Sequence, residues 1–341
     1  MGMTHRERVL AAVSHRAPDK VPYDIRFTQP AHAKMAAYYG DPAFESKLGN
    51  CFTWLRPHLP DARFVEVAPN IWQDEFGVRW DRRVDKDIGV VCNRLVTPEN
   101  VESFAFPDPH EPARYDSFEK MIDPNGGTAV LVSLGFALFE RAWTLAGMEN
   151  VLMAMVADKR FANTLLDRIL EFNLAVIEHA CTRNVDIFRF GDDWGHQRGV
   201  LMGPGLWREF IQPRFARMCE RVKSKGKLVM LHCCGKVDEL FPDLIECGLD
   251  IFNPFQPEVM DVFSLMKACH GRLAFHGGMS VQKVLPFGTP REVREATGKL
   301  LSAGAAGGYV FSPSHGVPRD VPPENLLAMA EVLKSQAGYR P

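Results

Sequence analysis

The feature that most restricts this chain is a repeat of short apolar runs, each followed by a helical stretch, most of them ending in a chemically capable polar side chain. Strand-like runs begin at Val21, Phe64, Ala129, Asp186, Lys227, Asp250, Arg272 and Gly308. Strands that alternate with helices of this length pair in parallel, because a helical crossover returns the chain to the same end of the sheet. Eight such units predict an α/β fold, a closed (β/α)8 barrel of the TIM type. An amphipathic N-terminal helix over residues 4–15 precedes the first strand. The alternating runs Asp74–Trp80 and Ile88–Arg94 predict a hairpin excursion near residues 71–95. The proline-rich stretch 107–112 has barrel-like elements on both sides, so residues 1–341 are expected to form one domain.

The polar residues at the strand ends are Asp24 and Arg26; Asp192, Asp193 and Trp194; His232 and Cys234; Asn253 and Gln256; His276; and His315. Barrels of this class build their active sites at the C-terminal ends of the strands, so these groups are expected to share one rim. Within them, His232-Cys233-Cys234-Gly235 carries the most specific signal. Side chains alternate along a strand, which sets His232 and Cys234 on one face and Cys233 on the other. An imidazole nitrogen and a thiolate suit zinc, although the same pair also reads as ordinary core histidine and cysteine. A catalytic zinc needs a third protein ligand and an open position. His315 is the first candidate, then His276, with an acid such as Asp193 as a further option.

Adjacent carboxylates at Asp192 and Asp193 suit general acid or base work, metal ligation or a helix cap. Alternation lets only one of them face the barrel axis, and Asp193 is preferred. Asp193 and His315 are therefore the candidate catalytic residues. Arg26, at the end of an apolar strand, either binds a substrate carboxylate or pairs with Asp24. Trp194, Asn253, Gln256 and His276 complete the candidate substrate-binding set.

Composition narrows the partners. The formal net charge is −2 and the basic residues are scattered, which argues against a nucleic-acid partner. No apolar run reaches the roughly 18 residues of a membrane-spanning helix. The first residues carry charge without an apolar signal core behind them, so a cytoplasmic location is expected. In a reducing compartment the eight cysteines are expected to be thiols. The sequence leaves the oligomeric state open between monomer and homodimer.

Several motifs together resemble the uroporphyrinogen decarboxylase superfamily, which includes cobalamin-dependent methyltransferases. They are Thr4-His-Arg-Glu-Arg-Val-Leu-Ala-Ala-Val13 with Ala17-Pro-Asp-Lys-Val-Pro22, Gly191-Asp-Asp-Trp-Gly195, His232-Cys-Cys-Gly235, Phe275-His-Gly-Gly278, and Ser314-His-Gly-Val317 leading into Asp320-Val-Pro-Pro-Glu-Asn325. The resemblance spans nearly the whole chain and implies a (β/α)8 barrel. True uroporphyrinogen decarboxylases carry an arginine-rich segment resembling Met-Arg-Gln-Ala-Gly-Arg. Here the equivalent stretch is Asp24-Ile-Arg-Phe-Thr-Gln-Pro30, which keeps only Arg26. The chain therefore looks closer to the methyltransferase, or demethylase, branch.

That branch uses a zinc site of the form His-x-Cys plus a distant Cys. His232 and Cys234 match the first two positions, and His315 stands at the third. The resemblance implies a zinc-dependent methyltransferase acting between a thiol or a small substrate, a methoxylated aromatic among the candidates, and cobalamin. No Asp-x-His-x-x-Gly cobalamin motif is present, so the cobalamin would arrive on a separate corrinoid protein. Trp194, Phe252, Phe255 and Phe311 offer aromatic surface for an aryl methyl ether, or simply barrel packing. The alternative is a metal-independent decarboxylase of a smaller carboxylate that uses Asp193, Arg26 and His315. A binding barrel without catalysis fits the crowded rim least.

Overall fold

The computed structural model describes residues 2–59, 64–123 and 125–336. In chain order, β1 (Phe52–Leu55) opens the barrel. An antiparallel sheet follows, made of β2 (Val65–Ala68), β3 (Ile71–Gln73), β4 (Arg79–Asp81) and β5 (Val90–Val91). The chain returns to the barrel at β6 (Ala129–Leu134) and β7 (Ile187–Gly191), and then forms a small ribbon from β8 (Gly195–His196) and β9 (Gly199–Val200). The remaining barrel strands are β10 (Leu228–His232), β11 (Ile251–Asn253), β12 (Ala274–Met279) and β13 (Tyr309–Pro313). Seven strands pair in parallel in the order β1-β6-β7-β10-β11-β12-β13. This is the TIM-type α/β fold that the repeating pattern predicts.

The gap between β13 and β1 is filled by the extended segment from Val21 to Ile25. Asp24 donates its amide to Phe311 O at 3.0 Å, Phe311 donates to Pro22 O at 2.9 Å, and Cys51 donates to Tyr23 O at 3.0 Å. The segment is too irregular for a continuous ladder, yet it bonds to both neighbours and serves as the eighth stave. Its own alternation sends Val21, Tyr23 and Ile25 into the outer core, leaving Asp24 on the opposite side.

One expected strand is corrected. Phe64–Val67 does not enter the barrel; it lies at the start of the antiparallel excursion, and Val65 to Ala68 are all exposed. A parallel barrel strand is covered on both faces, which exposed valines cannot satisfy. The second stave is Phe52–Leu55, whose two end residues are buried. The excursion predicted near residues 71–95 is present and extends back to Val65.

The barrel wall divides its side chains cleanly. Outward residues such as Val130, Val132, Phe188, Phe190, Val229 and Leu231 pack beneath the surrounding helices. Inward residues Phe52, Ala129, Leu131, Ile187, Met230, Ile251, Ala274 and Val310 form a separate inner cluster, joined by Val9 and Val13. Those two valines come from the N-terminal helix His5–Val13, started by a capping box between Thr4 and Glu7. Arg6 pairs with Asp186 at 2.7 Å just ahead of β7, which holds this helix across the end of the barrel where the strands begin. The opposite end is left for chemistry. No helix among the described residues is long and apolar enough to cross a membrane.

Candidate functional site

Two residues beyond the inner apolar cluster, the inward positions turn polar: Ser133, Arg189, His232, Asn253, His276 and Ser312. The period of two along each strand carries them onto one layer. Asn253 ties three strands of that layer together. Its Nδ2 donates to His276 O at 3.0 Å, an acceptor only, and this fixes which way the amide faces. Its Oδ1 therefore faces His232 Nδ1, 2.5 Å away, and that nitrogen carries the ring proton. His232 Nε2 is left with its lone pair free for a ligand, a geometry typical of metal-binding histidines. Burial, together with Arg189 and His315, holds the His232 imidazole well below its ordinary pKa, which keeps it neutral.

Cys234 Sγ lies 3.5 Å from His232 Nε2. One ligating atom from each of His232, Cys234 and His315 falls within 4.8 Å of the other two. Tetrahedral zinc, with bonds of about 2.0–2.3 Å, separates its ligand atoms by roughly 3.3–3.8 Å. The His232–Cys234 pair already meets that spacing, and the exposed His315 has room to close the remainder. The donor set fits a three-ligand ion with an open position. His276, the second candidate for third ligand, is buried beside Asn253 and does not join the group.

The turn after His232 is held from both sides. Asp193 Oδ1 accepts the Cys234 amide at 2.8 Å, and Gln256 Oε1 accepts the Gly235 amide at 2.6 Å. Gly235 has φ +90°, and a Cβ there would lie 2.4 Å from the Gly195 carbonyl carbon. The Gly191-to-Gly195 and His232-to-Gly235 motifs are thus two halves of one backbone-to-backbone contact. Gln256 supports the turn, and its buried side chain offers little surface to a substrate.

The paired aspartates separate by role. Asp192 accepts the amides of Phe139 and Glu140 and the indole N–H of Trp194, so it caps the helix Phe139–Ala146. Asp193 is the one that reaches the Cys234 turn. Burial raises its pKa, and burial with Asp193 raises that of the Cys234 thiol. Sequence reasoning missed Glu140, in the first turn of that helix. Burial first, then Asp193 and Asp192, push its carboxyl well above the ordinary range. Three carboxyls converging in one place cannot all ionise cheaply, and Glu140 retains its proton most readily.

The aromatic residues proposed for substrate contact are corrected. Trp194 is fully buried against Trp207 and Phe215. Phe252, Phe255 and Phe311 are equally enclosed in the outer core. Aromatic surface comes instead from Phe64, Trp72 and Phe136, which line a cleft of about 910 Å³ between the antiparallel sheet and the barrel mouth. Arg56, Arg82, Lys86 and Arg189 also line it. Arg26 sits with its guanidinium 5.0 Å from the Trp54 ring and 3.9 Å from Asp24. The His232–Cys234–His315 group lies beside this cleft rather than in its lining, and the inward-facing Arg189 on β7 links the two regions.

The sequence model of the family described as uroporphyrinogen decarboxylase (URO-D) matches residues 70–336, well over half of the chain. The chain belongs to the uroporphyrinogen decarboxylase family. A uroporphyrinogen decarboxylase of Chlorobaculum tepidum is 23% identical over 211 residues, covering 58% of each protein. A methylcobamide:CoM methyltransferase, MtaA, of Methanosarcina barkeri is 29% identical over 129 residues, 38% of this chain and 36% of that protein. The chain thus aligns with little more than half the length of the first of these relatives. A methyltransferase from Methanosarcina mazei has the same fold, with a TM-score of 0.72, 16% identity, and coverage of 98% of this chain and 99% of that one. Proteins of more than one printed activity are therefore similar to this chain, and a methyltransferase shares its fold.

Proposed function

We propose that this family member is a zinc-dependent methyltransferase, moving a methyl group between a small substrate and the cobalamin of a separate corrinoid protein. The observation that carries the reading is the convergence of half-buried His232 and Cys234 with exposed His315, with the His232 tautomer fixed by Asn253. These three residues would hold the ion, which when bound supplies Lewis acidity to a thiol or oxygen of the substrate. Asn253 orients the His232 ring, and Asp193 with Gln256 holds the turn that presents Cys234. A methoxyl oxygen that gives up its methyl keeps the bonding pair and must then take a proton. Glu140, which burial and the neighbouring Asp193 hold toward its protonated form, would give it in the demethylation of a small methoxylated compound. Phe64, Trp72 and Phe136 supply apolar contact for an aryl group in the cleft.

A second reading rests on the cations of the cleft and on the decarboxylases among the relatives. In that reading Arg26, Asp193 and His315 handle a smaller carboxylate substrate without metal. Elemental analysis separates the two. Protein purified without added metal is expected to carry about one zinc per chain, and the Cys234→Ala variant is expected to carry none while melting within a few degrees of the parent. The variant should also lose methyl transfer from methoxylated donors to free Co(I) cobalamin by at least about a thousandfold. A metal-free parent, or full zinc in the variant, would sink the methyltransferase reading.

A further inference from the structure

Arg189 stands in the middle of β7, between Phe188 and Phe190, which both face the outer core. Alternation therefore drives its guanidinium through the barrel wall into the polar layer. There Nη1 donates to Ser133 Oγ at 2.7 Å, while the buried Nε has no hydrogen-bond partner. Asp193, Cys234 and Glu140 face Arg189 electrostatically, but no carboxylate among the described residues forms an ion pair with it. Partly burying a guanidinium without a direct ion pair is costly, and a chain keeps such an arrangement where a further anion can supply the charge. Burial lowers its pKa only to about 10, so the cation persists at neutral pH.

A second cation shares the same support. The Trp54 ring carries Arg189 at 5.3 Å and Arg26 at 5.0 Å. The nearest acid to Arg26 is Asp24, which is fully buried, bonded to Trp54 Nε1 at 3.1 Å, and raised by burial to about 7. Two guanidiniums are thus held against one indole, and the acid beside Arg26 is only weakly ionised. Both Arg189 and Ser133 reach the lining of the 910 Å³ cleft, so this charge is accessible from solvent.

We propose that Arg189, backed by Ser133 and held with Arg26 against the Trp54 ring, is an anion site that anchors a carboxylate of the substrate. The inference rests on the reading above only in taking the cleft as the substrate's entry to the His232–Cys234–His315 group. Register sharpens the class of ligand. Arg189 lies beside Met230, two residues before His232 on the neighbouring strand. Strand spacing and rise then put the Cα atoms of Arg189 and His232 about 8 Å apart, so anchor and ligand group belong to one small site. A compact carboxylate suits a site of that size. The planar guanidinium suits a two-oxygen anion, which it can grip with parallel N–H donors.

The test needs neither metal nor corrinoid. Titration calorimetry on the full chain compares benzoate with its neutral isostere benzamide. Benzoate is expected to bind saturably and at least tenfold more tightly than benzamide. Arg189→Met should weaken benzoate at least tenfold and erase the preference, whereas Arg189→Lys should keep part of it. Equal binding of the two probes by the parent chain would overturn the proposal without recourse to any variant. So would undiminished benzoate binding by a folded Arg189→Met, or loss of it in Arg82→Gln, which would place the anion at the rim. A failed zinc analysis would leave the benzoate result untouched, so the two proposals fail separately.

Discussion

Six pairs of side chains, each two residues apart on one strand, divide the barrel interior into two layers of opposite character. Below lie Leu131, Ile187, Met230, Ile251, Ala274 and Val310, all fully buried and apolar. Above them stand Ser133, Arg189, His232, Asn253, His276 and Ser312, contributed by the same strands. The backbone and the direction of each side chain are alike in the two layers, and only about 6.6 Å of strand separates them. The lower layer satisfies every rule for a packed core. The upper layer breaks several, leaving Arg189 Nε and His276 Nε2 buried without partners, as is Asp24 Oδ1 at the same level of the Val21–Ile25 segment. Unpaired polar groups of this kind each cost on the order of 1–3 kcal/mol, a cost the apolar layer beneath must offset. The fold thus gives its stability to one rung and its chemistry to the next.

That division can be broken from below or from above. Truncating the lower layer, as in Ile251→Ala, should cost about 2–5 kcal/mol in denaturant titrations while zinc per folded chain stays unchanged. A change in metal content with little loss of stability would show that the layers are not separate. Removing a buried acid from the upper layer should do the reverse. Asp24 is raised from 3.8 to about 7 by burial, so its charged form is disfavoured in the folded chain by on the order of 4 kcal/mol. Its cost is absent below pH 4, where folded and unfolded chains are both protonated, grows as pH rises and levels off above about 7. Asp24→Asn is therefore expected to leave stability nearly unchanged at pH 4 and to raise it by up to about 4 kcal/mol at pH 8. A variant that is equally shifted at both pH values would refute the assignment. The smallest effect belongs to Asn253→Ala, which frees the His232 ring and should weaken zinc about 10–100-fold, read by chelator competition. An unchanged affinity there would detach the second strand of the upper layer from the metal group.

Much of this was legible before any coordinates. Parallel strands covered on both sides must be apolar, so β6, β10 and β12 announced themselves, and their polar ends marked the rim. The pairing of His232 with Cys234 followed from alternation carried past the end of β10, and the turn held by Asp193 and Gln256 keeps it. Other residues were hidden for definable reasons. Phe52–Leu55 is only four residues long and follows Gly49-Asn50, whereas Phe64–Val67 shows equally good β propensity. Propensity does not tell a barrel stave from an excursion, because burial on both faces is a property of neighbours. Arg189 did leave a signal, a lone cation inside the run from Ile187 to Phe190, but its direction depends on knowing which phenylalanines face the helices. Glu140 left none, since its displaced pKa depends on Asp192 and Asp193 some fifty positions away.

The sequence by itself determined the alternation of strands and helices, the side-chain period that sets His232 and Cys234 together, and the polar character of the strand ends. These are local properties, written within a few residues of one another. Only the tertiary structure decided which segment closes the barrel, that Asp192 caps a helix while Asp193 reaches the Cys234 turn, and that Trp194 is packing. It also decided that Arg189 and Arg26 both lie against the Trp54 ring. Each of these depends on contacts between segments far apart in the chain, and no local pattern specifies the partner of a buried charge.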